Sequence, residues 1–409
     1  MIGGGPAGIM AAGQAAKKGA HVILLEKNTD IGEKILLTGK GRCNFTHYEL
    51  DINRFAEKFG RKGRFLYGAL NQFGVSDVID FFHYYHLESK VERGKRVFPQ
   101  EGGANTVLNA LKQFLQQKKV QIRCSSNVIA LQKTRGDRPG FRIILPERTI
   151  EADKVILCSG GKSYPQTGST GEAFNWIKHF GHTLVVPMPA LVPVCVSEKW
   201  VDKLKNLSLR NVKLQLYQDN KKKDERFGEM MFTHFGISGP IVMDMSKHIG
   251  QLLGKGKVKV YLDLKPALNF KQLDQRILRD FHYFKGKMFK NALKKLCPSD
   301  MIGVIVALSR IEPQKKVDYI SSSERNRLLH LLKEMPLTPY KLLGYRWSMV
   351  TAGGISLNEV NPNTMASKKV KNLFFAGEIL DLDGPSGGYN LQSCWSTAYV
   401  AGLSAALDV

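Results

Sequence analysis

Apolar and polar positions change their period several times along the chain, and each change marks a different kind of element. Near the start an alanine-rich run with few charges predicts a buried helix from Pro6 to about Lys18. The unbroken apolar run Val22-Ile23-Leu24-Leu25 follows, the signature of a strand buried on both faces of a parallel sheet. From Phe55 to Tyr85 the rings of Phe73, Phe81, Phe82, Tyr84 and Tyr85 recur at helical spacing, which predicts two short amphipathic helices packed on a core. A helix over 104–117 leads into Val120–Cys124, Asn127–Lys133 and Phe141–Leu145. Their near alternation, with the turn at 136–140, predicts a small antiparallel meander. Lys154–Cys158 and 372–378 are again continuous apolar strands, each followed by glycines and then a helix, over 172–181 and 393–407.

Between residues 191 and 344 this strand–helix rhythm disappears. Strands near Val192–Val196, Val212–Tyr217 and Lys257–Leu264 alternate with loops, and a helical stretch covers Lys271 to about Leu332. The pattern predicts an insertion that splits one α/β domain into residues 1–190 and 345–409. Leu184–Val196 is apolar but holds Pro187, Pro189 and Pro193, and so reads as a linker into the insertion. No apolar run approaches a membrane span and no signal peptide is visible. The expectation is a cytoplasmic protein with no membrane association.

The junction of the first helix with what precedes it carries chemistry. Gly3, Gly5 and Gly8 fit G-x-G-x-x-G, the strand-to-helix turn whose backbone approaches a pyrophosphate. The helix beginning at Pro6 directs its unsatisfied N–H groups and positive dipole end at that anion, with Ala7 in the same turn. Glu26 ends the next strand 18 residues after Gly8, the distance expected of a carboxylate that grips ribose hydroxyls. Only Met1 and Ile2 precede the glycines, where a central strand belongs. The chain therefore reads as shortened at its start, by truncation or a misplaced start, at a cost to folding more than to function.

Composition changes the picture in two respects. Cys43, Cys124, Cys158, Cys195, Cys297 and Cys394 lie far apart with no C-x-x-C pair, which favours reduced thiols over disulfides or a structural zinc. The formal net charge is +24 and the pI about 9.7, a balance that attracts polyanions, nucleic acid first among them. A generally lysine-rich proteome gives the same balance. Residues 191–344 hold 29 Lys and Arg against 15 Asp and Glu, or +14 of the total. Lys221-Lys222-Lys223 reads as a hairpin turn; Lys285, Lys287, Lys290, Lys294 and Lys295 read as studs on one amphipathic helix with Phe289, Leu293 and Leu296. A solvated face is the commoner reason for such lysines, but their concentration here favours a polyanion surface.

Three further stretches are candidates for a site. Thr38-Gly39-Lys40-Gly41-Arg42-Cys43-Asn44 is a cationic loop rich in backbone donors, suited to wrap phosphates or a flavin edge. Phe232–Pro240 places His234 among glycines and hydroxyl residues, where an imidazole can donate a proton, although a lone turn histidine is more often structural. Ala376-Gly377-Glu378, the glycine loop to Gly388-Tyr389-Asn390 and the last helix complete a two-part site. There the acid can hold ribityl or pyrophosphate-side hydroxyls, and the helix start can stabilise charge at N1 to O2 of a reduced flavin.

Together these stretches resemble the BaiN/RdsA family of FAD-dependent oxidoreductases over essentially the whole chain. The Gly-Arg-Cys-Asn and His-Phe-Gly-Ile-Ser-Gly-Pro stretches are the specific ones, with Lys34 and Thr351–Ile355 in support. His47 stands where that family often has asparagine. The resemblance implies an α/β fold: a Rossmann-like FAD-binding domain, with a parallel sheet and a small antiparallel meander, and an inserted β-barrel-like and helical domain. It implies non-covalent FAD held by Gly3, Gly5, Pro6, Ala7, Gly8, Glu26, Lys27, Lys34, Thr38, Gly39, Gly41, Arg42, Cys43, Asn44, Val128, Ser159, Gly160 and Gly161, and by Gly377, Glu378, Gly388, Tyr389, Asn390 and Leu391. With a single G-x-G-x-x-G, taken by FAD, NAD(P)H is expected to dock transiently as reductant. Members of that family act on ribosomal RNA or on steroid-like molecules. The leading expectation is reduction of C5=C6 of an unstacked uridine in ribosomal RNA, with hydride to C6 and a protein acid, His234 or Cys43, protonating C5. The rivals are a small-molecule reductase or oxidase, and a flavin-stabilised RNA-binding factor.

Overall fold

In the computed structural model, which describes residues 1–134 and 140–407, contacts divide the chain into two compact units. The first is Met1–Ala190 with Tyr345–Val409, and the second is Leu191–Gly344.

The first unit is built on a parallel sheet. Ile23–Leu25 pairs with Gln121–Arg123 on one side, and Val155–Leu157 pairs with Leu373–Phe375 on the other. Ile2 joins the two pairs, forming parallel bridges to both Leu25 and Leu157. The Ile2 N–H donates to Ile156 O at 3.1 Å and the Cys158 N–H to Ile2 O at 2.8 Å, so the residues before the glycines occupy the central position of the sheet. The stretch Val120–Cys124 belongs to this sheet and not to the meander. Its strand is a largely exposed edge of the parallel ladder, and near alternation over so few residues did not distinguish the two settings. The meander is Ala130–Lys133, Phe141–Ile144 and Thr149–Ala152. Residues 136–139 of its expected turn lie outside the described residues.

The helix Pro6–Lys17 packs on the long last helix, Tyr389–Ala406. The approach is close because both are rich in small residues: a Cβ on Gly402 would lie 2.5 Å from Ala11 O. The aromatic segment forms the helices Ile52–Glu57, Tyr67–Gln72 and Val75–Tyr84 with a 3₁₀ stretch between the first two. Phe55, Phe73, Phe82 and Tyr85 are buried in the core of this unit. The proline-bearing stretch is not a linker. Leu184–Ala190 is a strand antiparallel to Val350–Ile355, and a register shift between Val185 and Met188 accommodates Pro187 where the ladder needs no N–H.

The second unit has its own core around Phe232, Val260 and Leu328. Its seven strands are all antiparallel, in the order 335–337, 258–263, 208–218, 221–233, 236–238, 194–196, 339–342. The two ends of that order are consecutive segments separated by Thr338 alone, so the sheet rolls back on itself like a barrel. Two local expectations change. Lys221-Lys222-Lys223 begins a strand, and the turn before it is Asp219-Asn220, both at positive φ as a two-residue hairpin requires. The lysines between 285 and 295 do not share a helix: Phe270–Tyr283 ends before Gly286, whose φ of 76° breaks it. Lys285 and Lys287 then lie in a loop, Lys290 in the one-turn helix Phe289–Ala292, and Lys294 and Lys295 in a 3₁₀ turn.

Candidate dinucleotide cleft

A cleft in the first unit is formed where the parallel strands end and the glycine turn begins. The three glycines take three different positions. A Cβ on Gly3 would lie 2.6 Å from Cys158 O, and one on Gly8 would lie 1.8 Å from Gly3 O, so both permit close strand and helix contact. Gly5 has nothing within 4 Å of where its Cβ would be, and it lines the cleft. That is a cradle a side chain would fill, and it is where backbone approaches a pyrophosphate. Gly5 is also the N-cap of the helix and offers no side-chain cap, which leaves the N–H groups of Ala7 and Gly8 without an intrahelical acceptor.

Glu26 is oriented by backbone: its Oε2 accepts from Gly4 N–H at 2.7 Å and its Oε1 from Asn28 N–H at 2.9 Å. Each oxygen keeps a second lone pair, as a ribose-binding carboxylate needs. On the opposite wall the Ser159 hydroxyl is buried without a hydrogen-bond partner, which is costly unless a ligand supplies one. The open glycine, the free helix N–H groups, the held carboxylate and the orphaned hydroxyl suit the pyrophosphate and ribose of a dinucleotide such as FAD.

The cleft gathers Gly3, Gly5, Pro6, Ala7, Glu26, Lys27, Lys34, Val128, Ser159, Gly160 and Glu378 of the expected residues. Glu378, however, is not an open carboxylate. Its Oε1 accepts from the Thr351 N–H at 2.9 Å and from the Ser163 hydroxyl, and its Oε2 from Lys34 Nζ at 3.1 Å. Burial pushes this carboxyl up, but the Lys34 charge and these donors outweigh burial and hold it below the usual range. Glu378 and Lys34 thus form a closed ion pair on the cleft floor.

Other expected residues lie elsewhere. The loop 38–44 folds on itself through left-handed turns at Gly39, Lys40, Gly41 and Cys43. This consumes its side chains: Thr38 Oγ1 donates to Ile35 O at 2.6 Å, Asn44 Oδ1 accepts from Val97 N–H at 3.1 Å, and Arg42 pairs with Glu92 and lies 4.1 Å from the Phe98 ring centre. Cys43 is fully buried and its thiol is pushed up to about 12 by burial. A group that holds its proton so firmly and has no path to solvent is not a proton donor, and that expectation is withdrawn. Gly161 and Gly377 are packing positions: added Cβ atoms would lie 2.3 Å from Thr351 Oγ1 and 2.6 Å from Ala7 Cβ. A Cβ on Gly388 would lie 2.4 Å from Thr46 O. Tyr389 is buried and stacks on His47 at 4.2 Å, Asn390 Nδ2 donates to Gly384 O at 3.0 Å, and Leu391 packs on the core. His234 belongs to the other unit, exposed in the turn between Lys221–Thr233 and Gly236–Ser238.

Several lining residues were not foreseen. Asn28 Nδ2 donates to Thr167 O at 3.1 Å, and Lys27 Nζ donates to Thr170 Oγ1 at 2.9 Å and pairs with Glu172 at 3.1 Å. These contacts draw the loop 167–172 over the cleft beside Asp30, Gly32, Ser126, Asn127 and Trp176. Gly168 and Gly171, whose spacing after Gly160-Gly161 is the sequence's own sign of a backbone approach to a cofactor, both take positive φ in this loop.

The model of the HI0933-like protein Rossmann domain matches residues 1–404. A 3-dehydro-bile acid delta(4,6)-reductase of Clostridium scindens is 33% identical over 99% of this chain and 98% of its own. A ribosomal RNA dihydrouridine synthase of Escherichia coli is 27% identical over 98% of this chain and 95% of its own. Among solved structures, 3-ketosteroid-delta4-(5alpha)-dehydrogenase from Rhodococcus jostii superposes with a TM-score of 0.51 at 14% identity, covering 100% of this chain and 96% of that one, a likeness of fold alone.

Proposed function

The chain belongs to the HI0933-like Rossmann family and is a flavin-dependent oxidoreductase, and on that premise we propose that it reduces C5=C6 of a uridine in ribosomal RNA. The observation that carries the choice of substrate is the net charge of +24, which matches a polyanion and has no use in binding a small apolar enone. Bound FAD would supply hydride chemistry for an activated carbon–carbon double bond, with NAD(P)H as the proposed reductant. The chain's own residues do the rest. The Gly3–Gly8 turn and its helix would hold the pyrophosphate, Glu26 would hold ribose hydroxyls, and Ser159 would supply one more hydrogen bond. Lys34 and Glu378 keep each other neutralised beside the cofactor. His234 is the proton donor to C5. The uridine reaches such a site only when unstacked. The setting for this activity is the cytoplasm.

A second reading rests on one observation: the bile-acid reductase is the relative with the higher identity, 33% against 27%. There the same cleft serves a small enone and the charge is incidental. Nucleoside mass spectrometry of ribosomal RNA from cells with and without the gene separates the two. Dihydrouridine missing from the deletion and restored by the intact gene, but not by a flavin-free Gly5→Val variant, is expected. An unchanged nucleoside profile would transfer the activity to small enones.

A further inference from the structure

The lysines that sequence periodicity assigned to one helix are gathered instead on one end of the second unit. After Tyr283 the chain runs through a loop that is stitched to residues 313–319. Val317 N–H donates to Lys287 O at 3.0 Å, Phe289 N–H to Lys315 O at 2.8 Å, and Gly286 N–H to Asp318 Oδ2 at 2.7 Å. Lys285, Lys287, Lys290, Lys294 and Lys316 are all exposed on this stitched end, and no Asp or Glu occurs between Asp280 and Asp300.

Some lysines of the unit are matched: Lys213 and Lys222 with Glu225, Lys315 with Glu324, Lys333 with Asp263. Among the described residues those five form no ion pair, so their charge is not spent on the protein. Two aromatic rings stand among them. Tyr283 is 70% exposed and Tyr319 is 72% exposed, far more than a tyrosine serving only the core. Lys295 Nζ lies over one face of the Tyr283 ring, 3.4 Å from its centre. Unpaired cations interleaved with open aromatic faces are what single-stranded nucleic acid requires, phosphates meeting the one and bases the other. A solvated surface that served only solubility would have no reason to expose the rings.

We infer that the end of the second unit built from residues 283–295 and 313–319 is a platform for single-stranded RNA, with Tyr283 and Tyr319 stacking bases and Lys285, Lys287, Lys290, Lys294 and Lys316 holding the backbone. It rests on the ribosomal RNA reading above and assigns that reading a binding surface.

The test is fluorescence anisotropy of the full flavin-loaded chain with a short labelled single-stranded RNA, titrated over about 50 to 200 mM salt. Replacing Lys285, Lys287, Lys290 and Lys294 together by Gln should flatten the salt slope by up to about 3, given about 0.7 per phosphate contact on a single strand. Tyr283→Ala should lower affinity on the order of tenfold without changing the slope, and Tyr283→Phe should restore it. All these side chains are exposed, and an unchanged flavin spectrum and Tm establish that each variant is folded. If the intact chain binds RNA and the variants bind equally well, this surface is overturned while the ribosomal RNA reading stands. Equal affinity for polyglutamate of matched length, indifferent to Tyr283→Ala, would overturn the stacking and point to an acidic protein partner. If the intact chain binds no single-stranded RNA at any salt, the platform fails, and the nucleoside profile decides the substrate by itself.

Discussion

Gly5 and Gly8 belong to one motif, yet substitution should separate them completely. At Gly5, with φ −77° and ψ −173°, any residue is conformationally allowed and a side chain meets no protein atom. Gly5→Val should therefore leave the flavin-free protein within about 0.5 kcal/mol of wild type. It should weaken FAD binding at least tenfold, about 1.4 kcal/mol or more, because the side chain stands where the pyrophosphate belongs. Gly8→Ala should instead fail to fold well, its methyl group driven into Gly3 O. Equilibrium dialysis with FAD beside thermal melts of the flavin-free proteins checks both, and equal FAD affinity for Gly5→Val and wild type would remove the pyrophosphate from this turn. Cys43 gives the converse case. A buried thiol pushed up to about 12 does not deliver protons, so Cys43→Ala should keep kcat/KM within about threefold and lose on the order of 1 kcal/mol of stability from lost packing. A hundredfold drop at unchanged Tm would reinstate it as an acid. The glycines were legible in the sequence because their spacing is set by backbone geometry. Cys43, Arg42 and Asn44 were misread because residue type states what a side chain can bind, while left-handed turns at Lys40 and Cys43 decide which way it faces.

At the scale of elements, one titratable cluster ties the strand Leu184–Ala190 to the segment after its partner strand. Glu359 accepts from the Thr183 N–H and hydroxyl, both at 2.8 Å, and from Lys369 Nζ at 2.6 Å. His182 Nδ1 lies 3.1 Å from the same carboxylate. Burial opposes ionisation of Glu359, but Lys369 and Thr183 prevail and hold its carboxyl down at about 2. Because that folded value lies below the ordinary carboxyl value of 4.5, its contribution is complete above about pH 4.5 and is lost as pH falls toward 2. Burial also lowers His182 below 6.5 in spite of Glu359, so its protonation begins to cost stability as pH falls below 6.5. Wild-type Tm should therefore fall with acid from about pH 6.5 downward. The Tm difference between wild type and Glu359→Gln should be constant above about pH 6.5, widen as His182 titrates without its carboxylate partner, and shrink below about pH 4.5. A difference that keeps growing below pH 4.5 would reverse the assignment. None of this cluster was visible beforehand, since it joins residues more than 170 positions apart. The strand beside it was misread for a related reason. Three prolines exclude a central strand, but a bulge and an edge admit them, and only pairing shows which applies. Elements defined by long apolar runs or alanine content were legible, because burial on both faces leaves no polar position to confuse the period.

For the whole molecule, the larger share of the net charge and the cleft lie on different bodies of the chain. The net charge was plain from composition, but its use depends on which lysines are already paired, and that becomes visible only when Lys213, Lys315 and Lys333 find carboxylates and Lys285 to Lys294 do not. The cleft is lined entirely by the first unit, and each unit has a core of its own. A ligand stabilises what it binds by RT ln(1 + [L]/Kd), about 2.7 kcal/mol at a hundredfold excess over Kd. FAD should act on the melting of the first unit alone. Calorimetry of the flavin-free chain should resolve two transitions. Added FAD should raise one by several degrees, scaling with the logarithm of its concentration, and leave the other in place. Single-stranded RNA, bound by the lysine and tyrosine platform, should raise the transition FAD leaves unmoved. If FAD moves both transitions together, the cleft draws on residues of the inserted unit. If RNA moves only the FAD-sensitive one, the charge excess of residues 191–344 serves something other than substrate.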